Sequence, residues 1–506
     1  DKTSTRISTF LKWINFKMAT PVYQTVIVGG GFAGLFTALH LSHSHYPRSI
    51  VLIDPQERFC FKPLLYEYFS GEMEPDQVVP RYETLLKHSG VLFVQSAASA
   101  IDLHQRQVQL VNGDTYSYSN LVLAVGSVTG YFGVEGAREN ALPFRTQADA
   151  IAIDRHLRDC LQRAVQLDDP EQRLRLLRIV VIGGGPSGVE MAATLADLVP
   201  QWYEAIGGNP DEVQLVLMNH SEILKGDINS QLRDTAEKAL HDRTASVELL
   251  IGAEASAVRP NRVEYKRNHQ SGEIEAGTIV WVTGTNTNPL IKSLPIPDRH
   301  RNKHGRLSVT PTLQLPDFPE VFAGGDCAVD FQTDHSSRVT STHNQGGDEY
   351  EHPTTQTDQS THTEAQHPNL KALPPTAQVA YQQGAAIAYN LKALALGYDL
   401  KPARVGLRGT LLKLGMNNGV ANLFDEVELT GELGHLIRQG VYLELLPTPV
   451  HNFKATTEWI TQEVFDRHRS NDLKPIIRAA EVVGGLAISA IIAQKIAQAL
   501  SDDRPT

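Results

Sequence analysis

The chain has 506 residues, 41% of them hydrophobic, and its 46 Lys and Arg against 57 Asp and Glu give a net charge of −11. At roughly 150 residues per domain this length suggests about three structural units, each able to bury a core, and it excludes a small binding module. The mild negative charge and the lack of any Lys/Arg-rich block speak against nucleic acid as a partner. Cys60, Cys160 and Cys327 are too few and too scattered for a disulfide framework and lack zinc spacing, so the chain reads as a protein of a reducing compartment with no metal site.

Residues 1–20 carry no long apolar stretch followed by a small-residue cleavage site, which argues against a secretory signal. They read either as an extension that adds nothing to the fold or as a short basic amphipathic surface helix. The β-branched run Thr25 to Val28 then ends in GGGFAG and enters the helical pattern LFTALHLS. A glycine turn between a strand and a helix can hold a dinucleotide pyrophosphate. Glycines let the backbone approach the phosphates, and the helix N-terminus offers unpaired N–H groups and a positive dipole end. Gly29, Gly31 and Gly34 fill the three glycine positions, and the next strand, SIVLID, ends in Asp54, 25 residues beyond Gly29. That is the place of an acid that bonds a ribose hydroxyl pair.

The same grammar returns in RIVVIGGGPSGVEMAATLADL, where Gly183, Gly185 and Gly188 take the corresponding places. Its second strand, VQLVLMNHSEIL, has Met218, Asn219 and His220 where an acid normally stands. Without an acid the repulsion of a ribose 2′-phosphate is absent, which admits NADPH beside NADH. Alternatively Asn219 bonds the ribose hydroxyls itself and NADH remains the substrate.

Residues 333–370 are rich in Thr, His, Gln, Ser and Asp and nearly free of aliphatic side chains, a composition that cannot offset its ordering entropy. They read as a flexible surface insertion whose histidines (His335, His343, His352, His362, His367) are solvated filler rather than metal ligands. The tail, residues 471–506, puts Ile477, Ala480, Gly484, Ile488, Ile491, Ile492, Ile496 and Leu500 close to one helical face. Its uncharged run from Val482 to Gln494 falls short of the roughly 20 residues a bilayer span needs. Such a helix either lies in a membrane interface or packs on another subunit.

With its two glycine motifs, LVLAVGS (residues 121–127) and EVFAGGDCA (residues 320–328), the chain resembles the two-dinucleotide-binding-domain flavoproteins. FKPLLYE, FRTQADA, GPSGVE and above all PPTAQVAYQQG narrow the resemblance to the type II NAD(P)H:quinone oxidoreductases, from about residue 22 to about residue 465. The late block from Leu407 to Lys454 is closer to the cyanobacterial and plastid members, some of which reduce demethylphylloquinone, and the His/Thr/Gln insertion departs from the family pattern. The resemblance implies an α/β fold of two Rossmann-like dinucleotide-binding domains, glutathione-reductase-like, with a C-terminal membrane-associating or dimerisation region. The expected division is an FAD-binding domain (21–145 and 296–400), an NAD(P)H-binding domain (146–295), a C-terminal domain (401–470) and the amphipathic tail.

On that resemblance Gly29, Gly31, Gly34, Asp54, Gly126 and Asp326 belong to FAD, and Gly183, Gly185, Ser187, Gly188, Glu190, Asn219 and Gly284 to NAD(P)H. Glu190 is expected on the first turn of its helix, facing the nicotinamide ribose or ring, where the resemblance links it to nicotinamide placement and to quinone or proton coupling; the alternative is that it simply complements the helix dipole. Gln378, Tyr381 and Gln382 match an element that runs beside the flavin on the face reached by quinone. Gln378 and Gln382 are four apart and share a helical face able to bond a quinone carbonyl; Gln378 bonding the flavin is the alternative. Lys62 either approaches the flavin or quinone or is a solvated lysine.

The implied activity is hydride transfer from NADH or NADPH to FAD and then two-electron reduction of a membrane quinone, plastoquinone or a naphthoquinone such as demethylphylloquinone, without proton pumping. The implied setting is a homodimer peripheral to the cytoplasmic face of a plasma or thylakoid membrane. Two rival readings are a sulfide:quinone reductase, with Cys160 and Cys327 handling sulfur, and a flavin-based redox sensor. The intact second glycine motif disfavours the first, and Cys327 reads more simply as a small buried residue. A thiol-disulfide reductase is excluded because Cys60 has no partner nearby in sequence.

Overall fold

The computed structural model describes residues 24–225, 230–329, 331–333, 370–407, 409–423 and 427–447. The N-terminal extension, residues 334–369 of the insertion, residues 448–470 and the tail from 471 lie outside the described residues. The chain divides into two compact units. One comprises the segments ending at Glu57, Leu86–Ser127 and Thr287–Gly406; the other comprises Arg58–Leu85, Val128–Asn286 and the chain from Leu407.

The first unit is organised by a six-stranded sheet in the order Gln314–Leu315, Phe318–Ala323, Asn120–Leu123, Gln24–Val28, Ser49–Asp54, Val91–Gln95. All its pairings are parallel except the outermost, Gln314–Leu315 with Phe318–Ala323. Parallel strands covered on both faces read as unbroken apolar runs. Val26, Ile27, Leu52, Leu121, Val122 and Leu123 are accordingly at or near zero exposure; each such side chain stabilises by about 1.5–3 kcal/mol relative to the exposed state. The helices Phe32–His43 and Ala377–Leu396 pack against each other so closely that a Cβ on Gly384 would stand 2.6 Å from the Ala33 carbonyl oxygen. The ends of the polar insertion are tied together, because Phe331–Thr333 pairs antiparallel with Leu370–Ala372.

The second unit repeats the plan. Its parallel sheet runs Val247–Ile251, Gln214–Asn219, Arg178–Ile182, Thr278–Trp281, Leu142–Pro143. In both sheets the strand before the glycine turn is central, with the next strand of the motif on one side and a later strand on the other. That makes the carboxyl end of Gln24–Val28, and likewise of Arg178–Ile182, a topological switch point, the place where open α/β sheets bind ligands.

Residues 58–85 and 128–145, which the resemblance groups with the first unit, join the second because of their apolar side chains. Leu65, Tyr66, Phe69 and Phe144 belong to one buried cluster with Val189, Leu195, Leu412 and Val420. A three-stranded antiparallel sheet, Gly409–Lys413, Gly419–Leu423, Val427–Thr430, and the helix Gly431–Glu444 complete this unit. Among the described residues no helix is long and apolar enough to cross a membrane.

Candidate functional site

Each glycine turn is fixed by the same close approach. Gly29 has φ +100° and Gly183 φ +122°, a region that side chains with a Cβ rarely adopt. A Cβ on Gly34 would run into the Gly29 carbonyl oxygen, and one on Gly188 into that of Gly183. In contrast, a Cβ on Gly31 or Gly185 would meet no atom within 4 Å among the described residues. These two glycines are the N-caps of Phe32–His43 and Pro186–Ala205, and neither helix has a side-chain cap or an acid in its first turn. Other helices of the chain are capped by side chains, Thr146, Asp169 and Thr376 among them. Two uncapped helix starts, each at a switch point and each beside open space, fit a dinucleotide pyrophosphate in each unit.

The strand ends beside these turns differ in charge. Asp54 ends Ser49–Asp54; its carboxylate accepts from Gly30 N–H at 2.6 Å and from Gln56 N–H at 2.8 Å. Burial pushes its pKa up against those two bonds. Asn219 ends Gln214–Asn219, and its amide nitrogen donates to the carbonyls of Ser221 (2.8 Å) and Glu222 (3.1 Å). With the nitrogen held by two acceptors, the atom Asn219 can offer a ligand is its oxygen, an uncharged acceptor. Arg233, on the helix Ser230–His241, is paired with Glu222 at 2.6 Å.

Asp326 follows the strand Phe318–Ala323 and accepts from Ser127 Oγ at 2.8 Å. Gly126, at φ +63°, precedes that serine. The next turn is held by a residue that sequence reasoning passed over. Gln383 is buried, and its Oε1 accepts from Gly325 N–H at 2.8 Å. Gln382 has another task than the one its spacing suggests. Its amide donates to Gly406 O (2.9 Å) and Gln378 O (3.2 Å) and accepts from Gly406 N–H (3.0 Å), so both ends serve the backbone. Tyr381 stands edge-on to Phe36, with ring centroids 4.5 Å apart. Gln378 and Tyr381 are both partly exposed on Ala377–Leu396. Cys327 is wholly buried, its thiol donates to Leu123 and Gly324 carbonyls at 3.3 Å, and burial pushes it up to about 12. Enclosed in this way, it packs as a small buried residue rather than standing as an accessible nucleophile.

In the second unit, Lys62 opens a short 3-10 turn and is exposed. Ser187 accepts from Tyr66 Oη through its carbonyl at 3.1 Å. Gly284, at φ +77°, lies against the Gly130 carbonyl. Glu190 departs from expectation. The helix begins at Pro186, so Glu190 is its fifth residue, beyond the first turn, and it is buried rather than capping. Its Oε1 accepts from Lys413 N–H at 2.9 Å and from Arg438 at 3.2 Å. Burial pushes Glu190 up to about 7, with Glu67 adding to the rise and Arg438 and the Lys413 N–H opposing it. Glu67, Glu72, Lys413, His435 and Arg438 complete a buried ionic cluster. No sequence motif announced it.

Residues 23–384 match the pyridine nucleotide-disulphide oxidoreductase family. The chain is 30% identical over 448 residues to demethylphylloquinone reductase NdbB of Synechocystis sp., covering 87% of this chain and 96% of that protein. It is 28% identical over 477 residues to the alternative NAD(P)H-ubiquinone oxidoreductase C1 of Arabidopsis thaliana, covering 88% and 81%. In fold it is similar to NDH2 of Plasmodium falciparum solved in complex with NADH, with a TM-score of 0.72 at 20% identity, covering 87% of this chain and 98% of that one. The chain belongs to the pyridine nucleotide-disulphide oxidoreductase family, in its branch of type II NAD(P)H:quinone oxidoreductases.

Proposed function

We propose that the chain is a non-proton-pumping, FAD-dependent oxidoreductase that catalyses NAD(P)H + H⁺ + quinone → NAD(P)⁺ + quinol, with plastoquinone or a naphthoquinone such as demethylphylloquinone as acceptor. The observation that carries this reading is the pair of uncapped glycine turns at the switch points of two parallel sheets, one followed by an aspartate and the other by an asparagine. FAD supplies the two-electron chemistry when bound. Gly29, Gly31 and Gly34 cradle its pyrophosphate, Asp54 takes the ribose hydroxyls, and Gly126 and Asp326 serve the ribityl region. Lys62 is assigned to the flavin set as well. Gly183, Gly185, Ser187 and Gly188 hold the NAD(P)H pyrophosphate, Asn219 its ribose, and Gly284 and Glu190 the nicotinamide end. Gln378 and Tyr381 offer an amide and a ring to a neutral quinone, and Gln382 fixes the backbone beside them. The protein works as a homodimer at the cytoplasmic face of a plasma or thylakoid membrane, held there by its C-terminal region.

Steady-state oxidation of NADH and NADPH by the FAD-loaded protein, with a short-chain naphthoquinone and a benzoquinone as acceptors, tests the reading. Quinone-dependent turnover is expected; bound FAD without turnover would overturn it in favour of a redox sensor. The same assay reads Asn219→Asp. A carboxylate there opposes a 2′-phosphate through like charge, so the NADPH to NADH ratio of kcat/KM is expected to fall by about tenfold or more. An unchanged ratio would remove Asn219 from the ribose site.

A further inference from the structure

One loop of the second unit holds an aromatic side chain in a conformation and an environment that both count against it. Residues 130–134 run beside the end of the strand Thr278–Trp281 and are clamped there. Gly130 N–H donates to the Gly284 carbonyl at 3.1 Å, and the Gly130 carbonyl accepts from the buried Trp281 Nε1 at 3.0 Å. The chain then reverses in a tight turn, closed by Val134 N–H donating to the Tyr131 carbonyl at 2.9 Å. Both central residues are left-handed, Phe132 at φ +51° and Gly133 at φ +75°. A turn of that kind ordinarily takes Gly, Asn or Asp, and a bulky side chain is strained in it.

Core packing does not explain the strain. Tyr131 is the ring the core uses: its centroid is 5.6 Å from that of Trp281, and Arg138 lies over its face. Phe132 is 73% exposed, more than any other large apolar side chain among the described residues. One edge of its ring lies along Gly284, where a Cβ would stand 2.6 Å from Phe132 Cε2. Strained residues of this sort concentrate at ligand-binding sites. The sheet says which part of a ligand is within reach. Asn219 ends the strand on one side of Arg178–Ile182, and Gly284 follows the strand on the other side, with Thr283 against Gly183 of the glycine turn. A dinucleotide with its pyrophosphate on that turn and its adenosine ribose at Asn219 extends its other half across Gly284.

We propose that Phe132 is a binding residue for NAD(P)H, its ring held out by the left-handed turn as a platform for the nicotinamide. This role rests on the reading of the second glycine turn as the NAD(P)H site and goes beyond it in naming the side chain that meets the nicotinamide ring. An aromatic ring offers a flat ligand a large contact at little cost in side-chain freedom. In the oxidised product the pyridinium adds a cation–π attraction. The clamped turn fixes the backbone beforehand, so little ordering remains when the nucleotide arrives.

Equilibrium dialysis of the FAD-loaded full chain against NAD⁺, and against ADP-ribose, which lacks only the nicotinamide, tests this role, with the thermal midpoint as a second readout. Phe132→Asn and Phe132→Gly both suit the turn and remove the ring; Phe132→Tyr keeps it. The first two are expected to weaken NAD⁺ by about three- to tenfold while ADP-ribose stays within about twofold. Relief of the strained turn is expected to leave their midpoint unchanged or higher. Phe132→Tyr is expected to hold NAD⁺ within about twofold of the parent chain. Unchanged NAD⁺ affinity in both ringless variants overturns the proposal, and so does equal weakening of the two ligands, the mark of a loosened loop. A lower midpoint in both would make Phe132 a packing residue and overturns it too. A parent chain that binds neither NAD⁺ nor ADP-ribose would sink the reading of the second glycine turn and this role with it; a parent that binds both, with no response to Phe132, sinks this role alone.

Discussion

Alanine at Gly34 is expected to give a protein that purifies with less than about a tenth of its flavin. The added methyl would meet the Gly29 carbonyl oxygen and the Ala124 side chain, and the first of these is backbone at a turn that cannot swing aside. Relief requires the helix Phe32–His43 to back away from the strand, which withdraws its uncapped N–H groups from the pyrophosphate and costs about 1–3 kcal/mol in packing alone. The ratio of flavin to protein absorbance measures the outcome, with the thermal midpoint as a companion. Gly188→Ala makes the corresponding collision with the Gly183 carbonyl in the other unit. It is expected to retain flavin and to lose NAD(P)H binding instead. Equal flavin content in wild type and Gly34→Ala would show that the first turn is not where FAD binds.

Replacing Arg438 by Met is expected to cost about 3–5 kcal/mol of stability near neutral pH, because removing one member of a buried ion pair leaves its partners uncompensated. Arg438 is fully buried and touches both Glu67 and Glu190. Urea unfolding of the flavin-loaded protein gives the number, and a loss below about 1 kcal/mol would mean that the cluster is solvated. The cost should also depend on pH. Burial holds folded Glu190 at about 7, above the ordinary glutamate value of about 4.3. Its contribution to stability is therefore fully present below the ordinary value and is lost as pH rises through about 7. Glu190→Gln abolishes that titration, so its unfolding free energy is expected to vary less between about pH 5 and pH 7 than that of the parent chain.

Legibility in the sequence followed the range of the interactions. Both glycine turns and the strands around them were readable, because a turn of this kind imposes its residues locally and the strands it joins are apolar throughout. Asp54 and Asn219 were readable for the same reason, being strand ends at a fixed distance from the glycines. The ionic cluster was not, since Arg438 and Glu67 stand 371 positions apart and belong to no spacing rule. Glu190 is found but misplaced, because the helix begins at Pro186 and makes Glu190 its fifth residue, just past the first turn. Among the three glutamines of the helix Ala377–Leu396, neighbours in sequence point about 100° apart. That rotation separates Gln383, turned inward to Gly325, from Gln382, turned toward Gly406; a motif string alone cannot show it.

The order in which the first unit's strands enter its sheet sets the order of events at the ribosome. Asn120–Leu123 pairs with Phe318–Ala323, and Asn120 bonds the carbonyl of Glu320, 200 residues later. At about 5–20 residues per second that neighbour emerges roughly 10–40 s after the strand it must join. In the meantime the edge of Asn120–Leu123 is unpaired, a template for any passing chain. The sheet of the second unit, drawn from one continuous stretch between Leu142 and Trp281, is complete before that wait ends. The nascent protein therefore carries the parallel sheet of its second unit complete while the first unit's sheet still has an open edge at Asn120–Leu123, so what covers that edge during translation bears on how much of the chain escapes aggregation.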